Sequence, residues 1–295
     1  MAQLLGIKNR IKSVDSTLKI TNAMKMISTA RLVKARERHN RVKPVYDRIE
    51  NVTHRLIKMK DNKEIKRFCK LGDSNRVLFV VLSTSRGFCG GFNLKLFNYI
   101  EEQKEKSYGE HLHILPIGQK AIDYFEKYEN LEKLDASIDI NWEHDLFNQS
   151  RNIVYELKSL FLSDKYSEIY LVYNKFKSIL FQKPTIKPLF PIDIKDNPNV
   201  TDSEYTDYLY EPDEETITQR LFDTYMIMTV NAALIELETG EYGARMTAMD
   251  GANRNGEKLN KKLKIQYQRA RQEAITKEIT EIIGGAETLR RDKDE

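Results

Sequence analysis

The chain has 295 residues, 31% of them charged, with seven prolines and a formal net charge of +4. This length suits two domains, or one domain plus an extended element, and so few prolines among so many charges favour helix over low-complexity disorder. Two cysteines, Cys69 and Cys89, are too few for a disulfide framework and lack the paired spacing of a metal site, which fits a reducing compartment.

No run of 18 apolar residues exists, so no membrane-spanning helix is expected. The opening "MAQLLGIKNRIK" lacks the continuous apolar core of a signal peptide, so the protein is expected to stay where it is made. Residues 1–60 hold 15 Lys and Arg against 4 Asp and Glu, a local +11, whereas residues 61–212 and 213–295 come to −4 and −3. Basic residues cluster again from 254 to 277. Such a run is either a solvated face or a surface for an acidic partner, whether protein, nucleic acid or anionic lipid.

From the N-terminus, residues 3–58 contain no glycine after Gly6 and one proline, Pro44. Leu4, Ile7, Ile11, Val14 and Leu18 recur at alternating intervals of three and four, the seam of a coiled coil. Beyond Leu18 the apolar positions become Ile20, Met24 and Ile27, so the stripe is predicted to drift around the helix. Such a helix would measure roughly 80 Å, and Pro44 should kink or locally break it.

The period then changes. "VLFVVLST" (77–84), "HLHILPIG" (111–118) and "EIYLVYNKF" (168–176) read as strands, with helical patterns at 94–106, 119–128 and 146–162 between them. That order implies a small, Rossmann-like α/β domain with a mainly parallel sheet. Prolines 184, 188 and 191 in "ILFQKPTIKPLFP" assign that run to a sheet edge or an exit from the sheet.

Pro212 followed by Asp213, Glu214 and Glu215 is a helix-start signal. No proline follows up to residue 291, and a continuous helix there would reach roughly 115 Å. Ile217, Leu221, Tyr225, Met228, Ala232 and Ile235 form a helical seam, which Leu263, Tyr267, Ala270 and Ala274 renew. Gly240, Gly243 and Gly256 are the weak points of this helix.

Two long terminal helices around an α/β insert bury their stripes most simply against each other, as an antiparallel coiled coil. The fold class is thus α/β with a long α-helical coiled coil, with expected boundaries at 1–60, 70–195 and 208–291. The C-terminal helix is longer by some twenty residues, roughly 30 Å, so its tip should project alone. That tip carries Ile275, Ile279, Ile282, Ile283 and Leu289, with Gly284, Gly285 and Ala286 among them. Either the tip is a frayed terminus with a glycine stop, or the small residues let an enclosing sleeve of another protein come close.

"STSRGFCGGFN" (83–93) joins a strand to a helix, but Gly87, Gly90 and Gly91 do not form the dinucleotide fingerprint, and no Gly-Lys-Ser/Thr follows. A tight turn explains it, and Cys89 reads as structural. The histidines at 39, 54, 111, 113 and 144 show no metal-ligand spacing, with His111 and His113 on one face of a strand end. Glu236 and Glu238 do not share a helix face, so no catalytic constellation emerges. A basic helix can enter DNA, but here an apolar seam runs through the basic part and a partner helix would cover one side.

"KITNAMKMISTARLVKAR" (19–36), "STSRGFCGGFN", "YLYEPD" (208–213), "GARMTAMDGANRNG" (243–256) and "ITKEITEIIGGAE" (275–287) together resemble the gamma subunit of the F-type ATP synthase, in the family's order. Thr288, and Ser85 before Arg86-Gly87, depart from the family pattern. The resemblance implies a non-catalytic central shaft, without metal or cofactor, in single copy. Its partners would be the alpha and beta subunits, the epsilon subunit and the membrane c-ring, at the cytoplasmic face of a bacterial inner membrane. By the same resemblance, Arg271, Gln272 and Thr276 would form a polar catch on a catalytic subunit, with Met24, Lys25 and Arg245 as neighbouring contacts. Ile279, Ile282, Ile283, Gly284, Gly285 and Ala286 would form a low-friction bearing tip, and Tyr208, Tyr210 and Glu211 would face epsilon and the rotor ring. The other classes are a nucleotide-binding enzyme built on residues 70–195 and a basic coiled-coil nucleic-acid binder.

Overall fold

A computed structural model describes residues 2–59, 68–69, 72, 74–132, 145–192, 211 and 213–294. Its elements are α1 (Ala2–Met59), β1 (Val77–Leu82), α2 (Phe92–Gln103), β2 (Leu112–Ile117), α3 (Gln119–Phe125), α4 (Leu146–Leu162), β3 (Glu168–Phe176), β4 (Gln182–Phe190) and α5 (Glu214–Asp294). The chain divides into two compact units, Met1–Ile27 with Met246–Glu295 and Ser28–Arg245. Each long helix contributes to both.

In the larger unit the strand order is β2-β1-β3-β4, with β1 parallel to both β2 and β3 and β4 antiparallel to β3. The two edge strands are those that carry prolines, Pro116 in β2 and Pro184 and Pro188 in β4, because proline has no N–H for a central ladder. All six residues of β1 are buried, as a central strand covered on both faces requires. Leu78, Val80 and Leu82 join Ile169, Leu171 and Tyr173 in a core with α4 and α5. Val77, Phe79 and Val81 face the other way, onto Leu96, Phe97 and Ile100 of α2 and Ala121 and Phe125 of α3.

Asp213 starts α5, accepting from the Thr216 backbone N–H at 2.8 Å and from its hydroxyl at 2.9 Å. Between Tyr225 and Arg245 nearly every side chain is buried, so this stretch of α5 is enclosed all round rather than along one stripe. Gly240 and Gly243 do not interrupt it. A Cβ at Gly240 would lie 3.0 Å from the Phe92 ring, and one at Gly243 would lie 3.4 Å from the Ile179 carbonyl oxygen. These glycines are close-approach points, and surrounding contacts offset their poor helix propensity.

One polar group enclosed with them is an ion-paired carboxylate. Arg38 donates to Glu238 at 2.8 Å, with the Glu238 side chain 6% exposed. Burial outweighs the pull of Arg38 and pushes the Glu238 carboxyl up to about 7, from 4.5. A carboxyl raised on folding takes up a proton, so its contribution to stability falls as pH rises from about 4.5 to about 7 and then stays level. Glu238→Gln is expected to remove that slope. Urea unfolding midpoints at about pH 5 and about pH 8 check it, since an unchanged difference between the two would refute the assignment.

Pro44 does not break α1, which runs through it. Proline forgoes the bond to the carbonyl four residues back and its ring crowds that carbonyl, but Val42 and Tyr46 on either side are packed into the core and offset that cost.

In the smaller unit the two helices run antiparallel. The side chains of α1 there that are not exposed are Leu4, Ile7, Ile11, Val14, Asp15, Leu18, Thr21, Met24 and Lys25, so the spacing of three and four carries on past Leu18 through Thr21 and Lys25, with Met24 beside it as expected. Ile20 and Ile27, expected on the seam, are 61% and 56% exposed. The heptad continues through polar residues instead. Asn260 donates to Asp15, Thr21 donates to Asn253, and Lys25 meets Asp250 at 2.6 Å. On α5 the matching seam is Met249, Asn253, Gly256, Asn260, Leu263, Tyr267, Ala270 and Ala274. Gly256 is a close-approach point of the two helices, since a Cβ there would lie 2.7 Å from Leu18.

Candidate functional site

The seam of α5 ends at Ala274, and every described side chain after it is exposed. Ile275, Ile279, Ile282 and Ile283 are 43%, 51%, 71% and 59% exposed. Their spacing of four, seven and eight residues puts them on one helix face. A Cβ on Gly284 would meet nothing within 4 Å, and Ala286 is exposed. Gly285 continues the helix. The four isoleucines thus form a contiguous exposed apolar stripe.

Arg271, Gln272 and Thr276 lie just inside this end, all exposed. Lys25 lies well away from them. Ala270 sits beside Gly6, whereas Lys25 faces Asp250. Twenty helical residues, roughly 30 Å, therefore separate Arg271 from the level of Met24 and Lys25, so Arg271, Gln272 and Thr276 do not form one patch with Met24 and Lys25. Met24 is half-buried, and Lys25 is held by Asp250, whose carboxyl is lowered by that hydrogen bond.

Arg245 is a correction to the expected contact surface. Its side chain is 8% exposed and lies 2.6 Å from Glu241. It also donates to the Gly87 carbonyl from Nε and Nη2, both at 3.1 Å, and to that of Arg86 at 3.4 Å. Arg245 thus fastens the loop of residues 83–93 to α5. Within that loop Asn93 donates to the Thr84 hydroxyl at 2.7 Å, and Cys89 is 4% exposed, its thiol pushed up chiefly by burial. Loop carbonyls turned to a guanidinium are the opposite of amides arranged for a phosphate, so this segment is a structural joint. Tyr208 and Tyr210 lie outside the described residues, and Glu211 is exposed in a bend before α5.

Sequence reasoning missed a second outward stripe on α1, where Ile20, Met26 and Ile27 are 61%, 68% and 56% exposed. The seven-residue interval between Ile20 and Ile27, offset from the Leu4–Leu18 seam, was the available signal. Together with the tip, these residues make the smaller unit apolar on surfaces that neither of its helices covers.

The family model described as ATP synthase matches residues 3–289. An ATP synthase gamma chain of Halothermothrix orenii is 36% identical over 291 residues, covering 98% of this chain and all of the relative. The chain belongs to the ATP synthase gamma-chain family. Another gamma chain, from Geobacter sp. strain M21, is 35% identical with the same coverage. The fold is that of a chain in the Euglena gracilis mitochondrial ATP synthase, with TM-score 0.68, 20% identity and coverage of 99% and 96% of the two chains. A chain from the central stalk and c-ring structure of the Tetrahymena thermophila mitochondrial enzyme has TM-score 0.58 at 20% identity, covering 79% of this chain and 99% of that one.

Proposed function

We propose that this chain is the central-stalk rotor of an F-type ATP synthase, coupling proton-driven rotation of a membrane ring to conformational cycling of three catalytic subunits. It is a non-catalytic subunit. Its partners are the alpha and beta subunits around the coiled coil, and the epsilon subunit and c-ring at the α/β domain, with Tyr208, Tyr210 and Glu211 as the foot contacts. The complex stands on the cytoplasmic face of a bacterial plasma membrane, and no described helix is long and apolar enough to cross one.

The observation that carries this reading is the seam ending at Ala274 while α5 continues to Asp294. A projecting helix with an isoleucine face needs a surrounding protein surface, and small side chains at residues 284–286 keep that contact shallow enough to turn. A rotor drives its neighbours only by touching their alternative conformers unequally, since equal contact shifts no population. Discrete polar contacts meet that requirement. Arg271, Gln272 and Thr276 are free to form charge-assisted bonds to an acidic loop and to break them as the shaft turns.

Co-expression with alpha and beta partners tests this. Arg271→Ala with Gln272→Ala should leave the assembly intact and lower ATP hydrolysis about tenfold to a hundredfold, the consequence of losing about 1.5–3 kcal/mol of charged hydrogen bonding at one step. Unchanged turnover would remove the catch from the mechanism. Failure of the unaltered chain to assemble with folded partners would remove the rotor reading itself.

A further inference from the structure

A cavity of about 710 Å³ in the larger unit lies between α1, the β3–β4 hairpin and α5. Its volume is in the range of sites for small organic ligands. Basic side chains enter it from separate elements: Arg36 and Lys43 from α1, Lys175 from β3, Lys177 just beyond it and Lys187 from β4. Among the described residues, Lys187 is the one in an ion pair, with Glu50 at 3.0 Å. Arg36, Lys43, Lys175 and Lys177 make no ion pair among the described residues.

Solvated lysines normally point apart. Here Arg36, Lys43 and Lys177, though exposed, and half-buried Lys175 line one concave wall from separate elements, where like charges repel. The acid on the α5 side does little to balance them. Burial raises the Glu236 carboxyl above the ordinary carboxylate range, against the pull of Lys175, His39 and Lys187. One of its oxygens is buried with no hydrogen-bond partner. Asp47 and Glu50 remain as lining acids, and Glu50 is engaged by Lys187 and Tyr46. The cavity is therefore left with more positive charge than its own residues compensate.

We infer that this cavity binds a phosphate-bearing anion, held by Arg36, Lys43, Lys175 and Lys177. Arginine supplies paired N–H donors to phosphate oxygens and the lysines supply point charges. Because the ligand would bridge α1 and the hairpin, binding would stiffen their junction. The phosphate could come from a soluble compound or from a lipid headgroup.

The test uses the full chain alone, since nucleotide-binding partners would take up the probe themselves. Pyrophosphate is titrated calorimetrically against a sodium chloride blank of equal ionic strength, and phosphatidylglycerol vesicles are used in a flotation assay. The expected result is saturable single-site binding of one of the two probes, weakened about tenfold or more by Lys175→Gln with Lys177→Gln. Lys120→Gln, which removes an exposed i,i+3 pair on α3, should leave it unchanged. Pyrophosphate binding identifies a soluble ligand, and variant-sensitive flotation without pyrophosphate binding identifies a headgroup. Lys177→Gln alone, at an exposed position, should also weaken binding, which guards against misfolding of the double variant. No binding beyond the blank, or equal binding by the parent and the double variant, overturns the proposal.

Discussion

Arg245→Ala is expected to destabilise the protein by about 3–5 kcal/mol, the usual consequence of stranding one member of a buried ion pair. Glu241 has a side chain only 3% exposed, and one of its carboxyl oxygens already lacks a partner. Burial pushes its carboxyl up even against the pull of Arg245. Without the guanidinium the acid must fold protonated, and the carbonyls of Arg86 and Gly87 lose their donor. Urea unfolding should show the lower midpoint, and limited trypsin digestion should cut sooner at Arg86 in the released loop. Adding Glu241→Gln should recover a large part of the loss, because the stranded charge is then gone. A single variant within about 0.5 kcal/mol of the parent would show that the pair carries no structural role.

Gly118→Ala should be nearly as damaging, at about 3 kcal/mol or more. Gly118 sits at φ 94° between β2 and α3, and a Cβ there would lie 2.3 Å from the Ser83 carbonyl oxygen. That oxygen cannot step aside. The Ser83 N–H is bound to the Ile117 carbonyl at 2.9 Å, and its hydroxyl accepts from the Ala121 N–H at 2.8 Å. Gly240→Ala is the comparison, because its new methyl would meet the edge of the Phe92 ring, a side chain that can shift. The loss should therefore be clearly smaller at 240 than at 118 in chemical unfolding. Equal losses would show that backbone crowding at Ser83 is not the determinant.

The two predictions concern the same strand ends, and they explain why the segment at 83–93 looks like a ligand loop without being one. Its glycines and positive-φ residues, Phe88 and Gly90, let the chain turn tightly onto α5. From sequence the turn was legible. Its partner was not, because Arg245 lies about 160 residues further along the chain and approaches only through packing.

The sequence by itself determined the secondary structure of the larger unit, the parallel sheet with a proline-bearing edge, the long terminal helices and the unpartnered isoleucine tip. Each follows from local periodicity and from proline's missing donor, which act over a few residues. Tertiary structure alone decided the course of the seam through Thr21 and Lys25 and the passage of α5 through Gly240, Gly243 and Gly256. It also turned Arg245 inward and set Arg271 apart from Lys25. In each case a polar, small or charged residue breaks the apolar pattern, and its place depends on a side chain distant in sequence: Asn253 for Thr21, Phe92 for Gly240, Glu241 and the Gly87 carbonyl together for Arg245. Hydrophobic periodicity records which face is buried. It does not record which polar group will find its partner there.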